Sequence, residues 1–106
     1  MGSVYSTRFW SYHNYVGLTE YVVPAGFVAV LRDVWVQETP SFATDSFSLY
    51  NSVGGYIWRV DFDTTPAQFF FWQGRQVFYA GEVIKGQALG VGGVDVTASG
   101  YLLELP

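Results

Sequence analysis

The sequence predicts an all-β protein: an antiparallel β-sandwich, jelly-roll-like, of about eight strands. Three observations carry the prediction. No window of about eleven residues spaces its apolar side chains by threes and fours without a Gly, a Pro or β-branched and aromatic crowding, so a helical signal is missing. Runs rich in Val, Phe, Tyr and Trp recur at close to the 8–12-residue rhythm of a sandwich or barrel. Between them stand turn residues: Pro24-Ala25-Gly26, Asn51 to Gly55, Gln73-Gly74 and Ala80-Gly81.

The strands follow in order. Tyr21 to Val23 runs extended into Pro24-Ala25-Gly26, where Pro presets φ and Gly tolerates positive φ, and a hairpin return is expected from Phe27 to Val36. Simple alternation puts Val28, Val30, Val34 and Val36 on one face and Phe27, Ala29, Leu31 and Trp35 on the other, as in a strand covered on both sides. Phe42 to Tyr50 is a shorter strand, and Asn51 to Gly55 turns the chain. Tyr56 to Phe62 then directs Tyr56, Trp58, Val60 and Phe62 inward and Arg59 and Asp61 outward. Asp63-Thr64-Thr65-Pro66 breaks the ladder before Ala67 to Trp72, and Gln73-Gly74 turns or bulges the chain into Arg75 to Tyr79. Ala80-Gly81 leads into Glu82 to Leu89. In the last strand Val94, Val96 and Ala98 occupy even positions but Tyr101, Leu103 and Leu105 odd ones, which predicts a β-bulge at Ser99-Gly100. The segment Val22 to Val28 echoes Val77 to Val83, each an apolar strand, an Ala-Gly corner and a return. Residues 17–106 are read as one domain, with 1–16 as an N-terminal arm or edge segment.

Composition narrows the function. The 106 residues are 50% hydrophobic, 20% aromatic and only 13% charged, against about 25% charged in an ordinary soluble domain. So few charges and so many rings imply that part of the exterior is covered in the working state. The densest run, Phe69-Phe70-Phe71-Trp72, must send two rings to each side of a strand. One sandwich has one interior. The second face therefore calls for a neighbour, and Phe69, Phe70, Phe71 and Trp72 are candidate oligomer-interface residues. Arg32 and Arg75 join them as charges embedded between apolar strands, which must be paired or reach a rim. Arg32 and Asp33 fall on opposite faces by alternation. Phe9, Trp10, Tyr12 and Tyr15 would make the first segment an arm that docks on a partner.

The five basic residues, Arg8, Arg32, Arg59, Arg75 and Lys85, form no stripe, and the net charge is −4; nucleic acid is not an expected partner. No apolar run approaches the roughly 20 residues of a membrane-spanning helix, and no basic n-region opens the chain, so no membrane partner is expected. Cysteine is absent. His13 is the single histidine, with no Gly-x-Ser-x-Gly elbow to complete a triad. Asp61 and Asp63 are spaced to share one side of a strand, but a strand end meeting a turn explains them better. Gly86, Gly90, Gly92 and Gly93 lack the Lys-Ser/Thr pair that would cradle a phosphate. No catalytic residue, metal site or cofactor is expected.

Taken together, Val23-Pro24-Ala25-Gly26 leading to Val30-Leu31-Arg32-Asp33-Val34, the turn Trp72-Gln73-Gly74-Arg75-Gln76-Val77, Ala80-Gly81-Glu82 and Ser99-Gly100-Tyr101-Leu102-Leu103 resemble small β-sandwich virion proteins of tailed phages of actinobacteria, of the minor-tail or capsid-decoration type. The resemblance covers most of the chain from about Tyr21 onward. It implies a non-enzymatic structural role in the virion: a homo-oligomer, in particular a trimer, decorating or cementing a capsid or forming part of a tail, with a capsid or tail protein as its partner. The alternative is a carbohydrate-binding module in which Trp10, Tyr12, Tyr15 and Trp58 stack on sugar rings while Asn14 and Asp61 bond to hydroxyls.

Overall fold

The structure is a computed structural model and describes residues 3–38, 44–62, 68–90 and 93–106. Eight strands fill it: β1 (Val4–Tyr15), β2 (Gly17–Val22), β3 (Phe27–Glu38), β4 (Thr44–Tyr50), β5 (Tyr56–Asp61), β6 (Phe69–Phe78), β7 (Val83–Gly90) and β8 (Val94–Glu104). Sheet A has the order β1-β8-β3-β6 and sheet B the order β2-β7-β4-β5, and every pair is antiparallel. The pairing is nested: β4 with β5, β3 with β6, β2 with β7, β1 with β8. One long two-chain ribbon has been rolled up so that β3 meets β8 and β4 meets β7, which is the jelly roll the sequence predicts.

Among the described strands only β4 and β5 are both consecutive in sequence and hydrogen-bonded neighbours. Their turn is held by Asn51, whose Oδ1 accepts from the N–H of Val53 at 3.0 Å and of Gly55 at 2.9 Å, as short polar side chains do in such turns. The corner at Pro24-Ala25-Gly26 is not the hairpin expected from sequence, because it carries the chain from sheet B to sheet A. The Ala80-Gly81 corner carries it back. In both, a backbone bond closes four residues (Phe27 N to Pro24 O, 3.2 Å; Glu82 N to Tyr79 O, 2.9 Å) with glycine third, at φ 85° in Gly26 and 84° in Gly81. That is the glycine position of a type II turn. The two corners also bond to each other, Val23 N to Glu82 O and Gly81 N to Val23 O, both at 2.9 Å. The sequence echo thus has a physical source: both chains of the ribbon must bend between sheets at the same level.

Between the sheets lie the side chains of Leu31, Val34, Phe47, Leu49, Phe78 and Ile84, all essentially sealed from solvent. Each contributes on the order of 1.5–3 kcal/mol by leaving water. The N-terminal segment belongs to this core. Residues 4–15 form edge strand β1, paired along its length with β8, and a register shift between Arg8 and Trp10 adds a residue there. The bulge turns both Phe9 and Trp10 inward, where Phe9 meets Tyr21 ring to edge at 5.1 Å and the Trp10 indole N–H donates to the Ile84 carbonyl at 3.2 Å.

Several expectations about faces are corrected. In β3 the inward set is Ala29 and Leu31 but then Val34, Val36 and Glu38, because Leu31 pairs with Gly100 and Asp33 with Ser99, leaving Arg32 as an extra residue. The irregularity therefore lies beside Ser99 and Gly100, but the inserted residue is in β3. Strand β8 keeps one phase: Val94, Val96, Ala98 and Leu102 face the core, so Tyr101 and Leu103 point out. Tyr56 also points out, since Leu49 pairs with Trp58 and Tyr50 with Tyr56, leaving Ile57 extra. Strand β6 runs unbroken through Gln73 and Gly74. The expected count of eight strands was reached by splitting β6 and omitting β1. Phe42, the turn Asp63 to Pro66, Ala67 and Gly92 lie outside the described residues.

Candidate association surface

The outer faces of both sheets mix polar and apolar groups and differ in how these are grouped. On sheet B the outward positions mix Glu20, Arg59, Asp61, Lys85 and Gln87 with the exposed Leu18, Val22, Tyr56 and Leu89. Arg59 bonds to Asp61 at 3.2 Å through Nε and donates to the Tyr56 hydroxyl at 3.2 Å, and these bonds, Asp61 first, push its guanidinium above the ordinary value. The Tyr50 hydroxyl donates to Gln87 Oε1 at 3.0 Å. Polar groups of this kind satisfy one another and water.

Sheet A gathers its outward apolar groups at the two ends of β3 and β6. From β6 come Phe69, Phe71 and Val77, which are 57%, 49% and 41% exposed; from β1 comes Val4 at 63%. Cross-strand pairing sets β3 and β8 beside them: Val28 opposite Leu103, Val30 opposite both Tyr101 and Val77, Trp35 opposite Phe71. Trp35 stacks on Phe69 with centroids 6.0 Å apart. At one end an open groove runs between Val30, Val77 and Leu103 with Arg32 and Arg75 on its flanks.

A polar band crosses the middle of this face at the level of the β3 bulge. The extra residue puts Arg32 and Asp33 on the same side, not on opposite faces as alternation implies, and both border a depression shared with Arg8 and Ser99. Arg32 donates to the Tyr101 hydroxyl at 3.4 Å, and its guanidinium carbon is 5.6 Å from that ring's centre, within cation–π range. Gln73 Nε2 donates to Asp33 Oδ1 at 3.3 Å.

The structure divides the aromatic run as strand geometry requires. Phe69 and Phe71 point outward, while Phe70 and Trp72 pack against the core, Phe70 edge-on to Phe62 at 5.6 Å. The Trp72 ring folds over Gly74, where an added Cβ would stand 2.7 Å from it. Arg32 and Arg75 reach the outer face with Phe69 and Phe71. The proposed docking arm does not survive: Phe9 and Trp10 are 6% and 4% exposed. Tyr12 and Tyr15 stack on each other at 4.4 Å, and the Tyr15 hydroxyl donates to the Leu18 carbonyl. The sugar-stacking set loses Trp10 to the core and Trp58 to a half-buried place edge-on to Phe47 at 6.3 Å. His13 and Asn14 serve the end of β1: Asp95 Oδ1 lies 2.6 Å from His13 Nδ1 and accepts from the Asn14 N–H at 3.0 Å.

Sequence reasoning missed Val4, Val30, Trp35, Val77, Tyr101 and Leu103 as members of this face. The break in alternation between Leu31 and Val34, with a charged pair in the gap, was the signal that could have found them. No protein-family model, no curated protein and no solved structure matches this chain.

Proposed function

We propose that this chain is a non-enzymatic structural protein of a virion that self-associates through the outer face of sheet A and lies against a capsid or tail protein of the same particle. One observation carries the association: sheet A gathers outward apolar side chains into two patches, Trp35, Phe69 and Phe71 at one end and Val30, Val77 and Leu103 at the other, with Phe69, Phe71 and Val77 57%, 49% and 41% exposed. Exposed apolar patches of this kind mark association surfaces. The rings are suited to contact, since each covers about 150–250 Å² with few torsions to freeze. The virion role rests on the resemblance of the corner, turn and closing-strand motifs to phage decoration and minor tail proteins, and a trimer is the stoichiometry that resemblance favours.

Phe71→Asp tests the association. The residue is exposed, so the variant folds; an oligomer in the parent and a monomer in the variant, by light scattering after gel filtration, is the expected result. A parent chain that is monomeric at high concentration overturns the reading. Peptide mass spectrometry on purified particles tests the virion role, and absence of the chain from them refutes it.

A further inference from the structure

The arginine-flanked groove on sheet A has a counterpart on the same molecule. Of the five basic residues, Arg8, Arg32 and Arg75 all reach the outer face of sheet A, with Asp33 and Asp95; of the other two carboxylates on the central strands, Glu38 is buried and Glu104 is exposed at the end of β8. Arg59 and Lys85 lie on sheet B. Three of the five basic residues of the sequence thus share one face. Edge strand β2 offers the complementary pattern. Its outward row is Leu18, Glu20 and Val22, with Leu18 44% and Val22 58% exposed and Glu20 between them. Val16, 43% exposed, extends the row. Glu20 sits opposite Lys85 in the ladder, yet among the described residues neither Glu20 nor Arg75 takes part in an ion pair.

We propose that the β2 row of one copy docks in the sheet A groove of the next, Glu20 against Arg75 and Arg32, with an apolar neighbour of Glu20 in the row on Val30 and Val77. This rests on the self-association reading and specifies its geometry. Alternate residues on a strand stand about 6.6 Å apart, so an acid and its apolar neighbour on β2 have the same repeat as Arg75 and Val77 on β6. The two surfaces belong to different sheets of one molecule. The contact is therefore head-to-tail, and repetition closes a ring when the rotation between copies permits.

The test is charge reversal at exposed positions that do not disturb the core. Glu20→Arg alone and Arg75→Glu alone should each raise the dissociation constant of the assembly about 10- to 100-fold, since like charges then face each other. The double variant carrying both should return to within about threefold of the parent. Sedimentation equilibrium reads all four chains. If Glu20→Arg assembles as tightly as the parent while Phe71→Asp is monomeric, self-association stands and this docking geometry is overturned. Loss of assembly in Arg75→Glu that Glu20→Arg does not restore also overturns it, assigning a different acidic surface to the groove. A monomeric parent overturns both.

Discussion

The indole of Trp10, on edge strand β1 of sheet A, lies against Gly86 of β7 in sheet B, so closely that a Cβ on Gly86 would stand 2.9 Å from the ring and equally close to Phe47. Trp10 also donates to the carbonyl of Ile84, two residues earlier on β7. A ring sent across the sandwich from one sheet thus needs a side-chain-free position in the other.

Gly86→Ala should therefore destabilise the fold by overpacking, by about 1–3 kcal/mol. Urea denaturation reads the change as a lower midpoint with an unchanged slope. An equal midpoint would mean that Trp10 and Phe47 shift freely to admit the methyl group.

Gly100→Ala should be more damaging. A Cβ on Gly100 would overlap the Val30 carbonyl oxygen, and backbone of β3 cannot swing aside as a ring can. The loss should reach about 3 kcal/mol or more, in the range reserved for backbone conflicts and core disruption. Thermal unfolding measures it. Tyr101 stays on the outer face in either case, so the cost comes from pairing of β3 with β8 and not from a displaced core ring.

Phe70 and Phe71 make a matched pair, adjacent in sequence and opposite in face. Phe70→Ala should cost about 2 kcal/mol of folding stability, less than a fully buried phenylalanine because Phe70 is half-buried. Phe71→Ala should change monomer stability by no more than about 0.5 kcal/mol while weakening association. Denaturation at low protein concentration, set beside sedimentation at high concentration, separates the two effects.

Glu82 ties the β4–β5 turn to the Ala80-Gly81 corner. Bonds from the Ser52 side chain and from the Tyr79 N–H, the latter at 2.6 Å, hold its carboxyl below the ordinary value of 4.5. A carboxyl depressed on folding stabilises above its unfolded pKa, and the contribution is lost as pH falls through the folded value. The parent should exceed Glu82→Gln in melting temperature at pH 7, with the gap narrowing from about pH 5 downward. A gap constant from pH 7 to pH 3 would refute this.

How much of this was legible in the sequence varies from strand to strand. Strands, turns and class were readable because they are local: alternation in Trp58 to Phe62, the Asn51 to Gly55 turn and the glycines of the two corners act within a few residues. The side on which a residue faces was readable only where a strand runs without an inserted residue. Arg32, Phe9 and Ile57 are such insertions, and a bulge is a mismatch between two strands that neither one's sequence records.

By itself the sequence determined an all-β sandwich, the Asn51 to Gly55 turn and the positions of the two Ala-Gly corners. Tertiary structure alone decided that the corners cross between sheets, that Tyr101, Leu103 and Trp35 look outward, and that Arg32 and Arg75 flank a groove among valines. The reason is range. Turn and strand preferences act over a few bonds, whereas facing is set by register between strands that meet only when the ribbon closes, β3 on β8 some seventy residues later in the chain.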